Sequence, residues 1–289
     1  MQSSVNSKFA FVILHYGSAD VTMSAVHSVM SLEKANDELS VVVVDNASPG
    51  GTGDVVRDRL KSLQHCYFLS SKENLGFARG NNVGFAFAKN ELGADFIILM
   101  NNDAVIESPN FCELVAEDFA KEHFAVLGPY IHTPNGKYQN PLRRKLLKGF
   151  RLKLTQIYLW IDLILTWLCV APALSMLFSP RSSAKIERRL IAMNDVELHG
   201  SFLVFSPLYI RKFDGLDSRT FMYCEEEFLF ARCVANGLKS RYNPEIKVLH
   251  NEVETSGASV LKKRKKRLFR LKNCRKSLKL YADMIRPNI

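Results

Sequence analysis

The sequence predicts an α/β domain whose central sheet is mostly parallel and flanked by helices. Short apolar runs recur through the first hundred residues: FAFVIL at 9–14, VVVV at 41–44 and FIILM at 96–100. Each is apolar at successive positions rather than alternating, as expected of strands buried on both faces. Segments with helical spacing lie between them, and strands separated by helices read as βαβ units. At 289 residues, 47% hydrophobic and 24% charged, the chain can form one large packed core and lacks the composition of a disordered protein.

The elements follow in order. Residues 9–14 form the first strand. Asp20 is placed to cap a helix whose apolar positions include Val26, Val29 and Met30. The β-branched run 41–44 forms the second strand and ends at Asp45 in a turn cluster, DNASPGG. A helix over 54–63 and a strand over 66–69 come next. Residues 73–90, ENLGFARGNNVGFAFAKN, open as a loop and continue as a helix, and 96–100 form the following strand. In such sheets ligands bind at the carboxyl ends of strands, where Asp45 and Asp103 both fall.

Charge is unevenly placed. The net charge is +10, yet residues 262–289 carry +11, residues 141–190 carry +8, and the remainder carries −9. An acidic body with two basic segments seeks phosphate, as nucleic acid or as anionic lipid. The six cysteines sit singly without a CxxC pair, which excludes a zinc ribbon and a disulfide framework and suits a reducing compartment. The N-terminus has neither a charged leader region nor a small-residue cleavage site, so no signal peptide is expected.

Four stretches carry candidate chemistry. In LMNNDAVIES, two asparagines and Asp103 close an apolar strand; this is either an Asx-turn or a site where a divalent metal meets a phosphate. The glycines of 74–82 permit close backbone approach, or serve helix packing, and Arg79 could pair with a diphosphate. Glu225, Glu226 and Glu227 are either a solvated helix face or a source of a general base. His250 ends an apolar strand, where a histidine is either structural or a ligand suited to Mn²⁺. His15 and His199 receive no role.

VVDNAS, ENLGFARGNNVGF and LMNNDAVI, in that order, resemble the donor half of the family 2 glycosyltransferases, closest to rhamnosyltransferase-like members that build bacterial surface polysaccharides. Residues 197–256, with GLD, FMY plus acids and a later VLH, resemble that family's acceptor half. The resemblance implies the GT-A fold over 1–261: a donor half at 9–135, an inserted segment at 136–196 and an acceptor half at 197–256, followed by a basic tail at 262–289. It implies an inverting transferase that moves one sugar from a UDP- or dTDP-sugar to a hydroxyl of a lipid-linked or other saccharide acceptor, with Mn²⁺ or Mg²⁺. Asp103 and His250 would hold the metal. Asp45 would accept a hydrogen bond from the base. Asn74, Gly76, Arg79, Asn82, Asn101 and Asn102 would complete the donor site. Asn101 stands where the family has the first acid of D-x-D. Alignment on FMY makes Glu226 the general base, with Glu225 as the alternative because the family has Glu-Asp there.

The apolar run 157–178 approaches bilayer length but contains Asp162 and Pro172 and is flanked by basic residues. A full span would split the two halves of the site, so an in-plane insertion or a buried interface fits better. In the tail, Leu268, Leu271, Cys274, Leu278, Tyr281 and Ile285 share one helical face and the other faces are basic, as in a membrane-surface helix. The expectation is a peripheral or monotopic protein on an anionic membrane surface, the cytoplasmic face of the inner membrane. No candidate site residue lies in the tail, so it should be dispensable for chemistry. The alternatives are a nucleic-acid-binding protein, supported by charge alone, and an inactive relative of the transferases. Oligomeric state is open.

Overall fold

The computed structural model describes residues 7–33, 38–168, 190–252 and 260–286. Cys169 and the second half of the apolar run, 169–178, lie outside the described residues.

The donor half runs β1 (Lys8–His15), α1 (Ala19–Met30), β2 (Glu38–Asp45), α2 (Thr52–Leu60), β3 (Cys66–Ser70), α3 (Phe77–Asn90), β4 (Phe96–Asn101), β5 (Ala104–Ile106), α4 (Phe111–Glu122) and β6 (Val126–His132). Then follow α5 (Gly149–Trp167), β7 (Met193–Asn194), β8 (Phe202–Phe205), α6 (Pro207–Ile210), α7 (Glu225–Ala235), β9 (Ser240–His250) and α8 (Val260–Ile285). Ser18, not Asp20, caps α1: its hydroxyl accepts from Val21 N, and Asp20 sits in the first turn.

The strands form one sheet in the order β3-β2-β1-β4-β8-β6-β9-β5, with β7 on β9. The donor strands β3, β2, β1 and β4 are parallel, as their unbroken apolar runs require. The rest is mixed: β8 is antiparallel to both β4 and β6, β5 is antiparallel to β9, and β6 and β9 are parallel. "Mostly parallel" therefore holds for the donor half only. The two faces of the sheet feed two cores. Phe9, Phe11 and Ile13 pack with Val26, Val56 and Phe111 on one side. Ala10, Val12 and Val44 pack with Phe85, Tyr209 and Leu229 on the other.

A third core joins the two basic segments to the body. Leu147 and Leu152 pack with Phe228, Ala231, Leu278, Tyr281 and Ile285. Tyr281 is fully buried, with its ring edge-on to Phe228 at 5.5 Å. The apolar face of the tail is thus turned inward onto α5 and α7, and it is not a membrane face. Asp162 of α5 pairs with Arg267 at 2.6 Å, Arg264 donates to the Thr166 and Trp167 carbonyls, and Arg275 lies 4.5 Å over the Trp160 ring. Part of the basic tail is therefore used within the protein. Among the described residues no helix is long and apolar enough to cross a membrane.

Candidate active site

The site forms where the sheet changes direction. Parallel β1, β2 and β4 end together, with His15 beside Asp45 and Leu14 beside Asn101. Helices leave to opposite faces from such a point, which opens a crevice at the strand ends.

Asp45 closes β2 half-buried; its Oδ1 accepts from Ser48 N at 3.0 Å. Its carboxylate rests against the first turn of α2, where a Cβ at Gly53 would collide with it. Asn46, which sequence reasoning passed over, clamps the glycine-rich loop. Its Nδ2 donates to Asn74 Oδ1 and the Gly76 carbonyl, and its Oδ1 accepts from Leu75 N at 2.9 Å. Gly76 has φ +80°, and a Cβ there would strike the Phe221 carbonyl, which accepts from Phe77 N at 2.8 Å. The close approach foreseen for the glycines is thus made at Gly76 by the protein's own backbone. Asn82 holds the Leu216 backbone through both ends of its amide, at 2.9 and 2.7 Å. It joins the donor helix to the GLD turn and does not point into the crevice. Arg79 is exposed on the first turn of α3.

The second asparagine of the Asn-Asn-Asp run is also tied down. Asn102 Nδ2 donates to Thr22 Oγ1 at 3.1 Å, and Thr22 donates on to the Ser18 carbonyl. His15 Nδ1 meets the same hydroxyl at 2.7 Å, so it is the donor there. Burial lowers the pKa of His15, against the pull of the Asp45 carboxylate. Thr22 thus links the ends of β1 and β4.

Asp103 and His250 are brought together by backbone pairing. Ala104 registers with His250 across β5 and β9, and Asn251 N donates to the Asp103 carbonyl at 2.8 Å. His250 Nε2 lies 3.1 Å from Asp103 Oδ1 and 3.4 Å from Asn101 Nδ2. Behind the ring, Gln139 Nε2 donates to Glu252 Oε1 at 2.7 Å. That fixes Gln139 Oε1 as the acceptor of His250 Nδ1–H at 2.7 Å. His250 Nε2 therefore faces the Asp103 carboxylate directly. His199 completes this wall, its ring centroid 5.9 Å from that of His250 and its Nδ1 2.9 Å from Ser201 Oγ. Burial, then the neighbouring His250, pushes the pKa of His199 down to about 4. Among the described residues no set of three or more His, Cys, Asp or Glu is arranged around a metal ion. One carboxylate with one imidazole still fits a divalent cation that takes its other ligands from diphosphate and water.

The acidic run opens α7. Tyr223 and Cys224, at φ +72° and +70°, are non-glycine residues in the left-handed region, a strained entry that aims three glutamates separately. Glu225 is buried and accepts from Thr220 Oγ1 at 3.2 Å; burial and its acidic neighbours raise its pKa to about 8. Glu227 pairs with Arg143 at 2.8 Å. Glu226 Oε1 accepts from Gly200 N at 3.1 Å. The 199–201 turn therefore stands between Glu226 and the Asp103–His250 pair, since Asn101 N donates to the Ser201 carbonyl at 2.8 Å. Glu197, also missed from sequence, lies buried beside Arg143 at 3.4 Å, and burial raises its pKa to about 8. Its only signal was an acid two residues before His199 in ELHGSF.

The Glycosyl transferase family 2 model matches residues 10–172. No curated protein matches the chain. Among solved structures, S. aureus TarS 1–349 superposes with TM-score 0.53 at 14% identity, covering 84% of this chain and 60% of that one. Its complex with UDP-GlcNAc gives 0.53 at 15%, covering 88% and 62%. Mannosyltransferase PcManGT from Pyrobaculum calidifontis, in complex with GDP-Man and Mn²⁺, gives 0.55 at 13%, covering 91% and 61%. The chain spans about three fifths of the length of these structures, and they share its GT-A-like fold of a mixed sheet flanked by helices. With more than half of its length matched, the chain belongs to glycosyl transferase family 2.

Proposed function

We propose that the protein is an inverting, metal-dependent transferase that moves one sugar from a nucleoside-diphosphate sugar to a hydroxyl of a lipid-linked saccharide. The observation that carries this reading is the Asp103–His250 pair just past the end of β4, with Asp45 at the end of β2 in the same sheet and Glu226 tied to the 199–201 turn that bonds Asn101. The UDP-GlcNAc and GDP-Man complexes of the similar structures support a nucleotide-sugar donor, and the Mn²⁺ in one of them supports Mn²⁺ or Mg²⁺ as cofactor. Asp45 accepts from the base, which suits the N–H of uracil or thymine and hence a UDP- or dTDP-sugar. Asn101, Asn102 and Arg79 border the ribose and diphosphate. Asp103 and His250 would hold the metal, whose chemistry is to neutralise charge growing on the departing diphosphate.

Glu226 is the general base. Burial raises the pKa of Glu225 to about 8 and Glu227 is paired with Arg143, whereas Glu226 meets only the 199–201 turn, through Gly200 N. It removes the acceptor hydroxyl proton as that oxygen attacks the anomeric carbon. The bond from that carbon to the diphosphate breaks on the opposite face, so configuration inverts. The rhamnosyltransferase-like motifs support a place in surface-polysaccharide synthesis, on the cytoplasmic face of the inner membrane.

The test is a panel of nucleotide sugars incubated with the protein and Mn²⁺ or Mg²⁺, reading release of the nucleoside diphosphate. One donor hydrolysed only with metal is the expected result. No release and no nucleotide binding with any donor would favour an inactive relative.

A further inference from the structure

We propose that the outer face of the α5–α8 helix pair is a docking surface for an anionic lipid bilayer. The helix α5 is built the wrong way round for a helix facing water. Its inward face carries Asp162 and Thr166, buried against α8. Its outward face is the apolar stripe Phe150, Leu154, Ile157, Ile161, Ile164 and Leu168, spaced three or four apart and all exposed, with Tyr158 beside it. Ile157 is 54% exposed and Tyr158 62%. Large contiguous apolar surface on a folded protein marks an interaction site.

The charge beside the stripe selects the occupant. Lys265, Lys266, Arg270 and Lys272 of α8 are exposed, with Phe269 among them. The helices are locked together by Asp162–Arg267 and by Arg275 on Trp160, and Lys148, Arg151 and Lys153, at the start of α5, are exposed beside the stripe itself. The segments 141–190 and 262–289 carry +8 and +11 against −9 for the rest. Apolar and aromatic side chains flanked by cations match the acyl-headgroup boundary of an anionic leaflet, with the helices lying in its plane. The tail takes part through its cations, because its own apolar face is buried. This deepens the reading above, on which the lipid-linked acceptor rests, by naming the face that meets the lipid.

The experiment is co-sedimentation of the full chain with vesicles of phosphatidylcholine, alone or mixed with phosphatidylglycerol. It is run at about 0.1 M and about 1 M salt, where the screening length falls from ~10 to ~3 Å. Wild type should bind only the anionic vesicles and keep a salt-resistant fraction. Ile157→Ser/Ile161→Ser, and separately Tyr158→Ser, should lose that fraction while keeping the wild-type circular dichroism. Lys265→Ala/Lys266→Ala/Arg270→Ala should bind roughly 10²-fold more weakly at low salt. The proposal is overturned if wild type binds neither vesicle or both equally, or if the serine variants bind like wild type. It is also overturned if light scattering shows a dimer that the serine variants dissolve. Nucleotide binding, measured by calorimetry without lipid, reports on the transferase reading separately: its loss in every protein would sink that reading and leave the vesicle result standing.

Discussion

His250 Nε2 and Asp103 Oδ1 lie 3.1 Å apart, and Gln139 Oε1 accepts from His250 Nδ1–H on the far side of the ring. A positive charge between the ring nitrogen and the carboxylate oxygen stabilises this arrangement. A proton on Nε2 supplies that charge in the pair as it stands, and a divalent cation held by both atoms would supply it in a metal-loaded site.

Asp103→Ala should therefore abolish Mn²⁺-dependent nucleotide binding with the fold intact. Gln139→Leu, which touches neither nucleotide nor metal, should weaken Mn²⁺ affinity by ~10–100-fold by releasing the ring's tautomer and orientation. Calorimetric Mn²⁺ titration in the presence of nucleoside diphosphate measures both. Unchanged metal affinity in both variants would remove the pair from the metal site.

Glu226→Gln should cut transfer by ~10²–10⁴-fold with donor affinity nearly unchanged, since the base acts on the acceptor. Glu225→Gln should be close to wild type, because Glu225 has its pKa raised to about 8 and is already neutral at pH 7. Steady-state rates with saturating donor decide. The reverse pattern would make Glu225 the base.

The donor half was legible because buried parallel strands show as unbroken apolar runs, and residues 9–14, 41–44 and 96–100 all fall within observed strands. The antiparallel pairings of β8 and β9 were not, since register between distant segments leaves no local period. For the same reason His199 looked like a lone histidine in ELHGSF: only the fold places it beside His250. Asn82 and Gly76 sat in a motif whose residues divide between ligand and scaffold, and spacing does not tell these apart. In the tail, periodicity grouped Leu271, Leu278, Tyr281 and Ile285 correctly on one face. It could not say that Phe228 and Leu147, rather than lipid, cover that face.

Gly53→Ala should loosen nucleotide binding while leaving the melting temperature nearly unchanged. The new methyl meets the free end of the Asp45 side chain rather than backbone, so the carboxylate yields and the fold does not. Calorimetry with UDP and dTDP, beside a thermal melt, separates this from a packing defect, which would lower both.

Stability should fall as pH rises from about 6.5 to about 8, above the range in which His15 and His199, with pKa values lowered by burial, contribute a rising slope. Glu197 and Glu225 have folded-state pKa values raised by burial from 4.5 to about 8. An acid shifted upward stabilises the fold fully below its unfolded pKa, and that contribution is lost as pH rises through the folded value. Melting temperature against pH should slope downward over this window. Glu197→Gln, which keeps a neutral amide in place of the neutral acid, should flatten the slope and raise stability at pH 8. A wild-type curve that rises through this window would contradict the burial of these acids.

Removing the tail should damage catalysis, opposite to the expectation from sequence that it is dispensable. The tail helix α8 braces the strained entry to α7: Ser277 Oγ donates to the Met222 carbonyl at 3.1 Å, and Cys224 Sγ lies 3.8 Å from the Cys274 carbonyl oxygen. Tyr281 packs on Phe228, two residues after Glu226. Leu278 is 2% exposed within the same core, so Leu278→Ala should cost ~2–5 kcal/mol, as buried leucine truncations do. A milder Leu278→Met should cost under ~1.5 kcal/mol and keep the helix seated. If α8 positions Glu226, Leu278→Ala, measured below its melting transition, should lower the rate with a soluble acceptor while donor affinity holds, and Leu278→Met should restore it. Chemical denaturation and initial rates on the same preparations test this. Full activity in the folded Leu278→Ala protein, or in a chain truncated before α8, would show that α7 holds its glutamates without the brace.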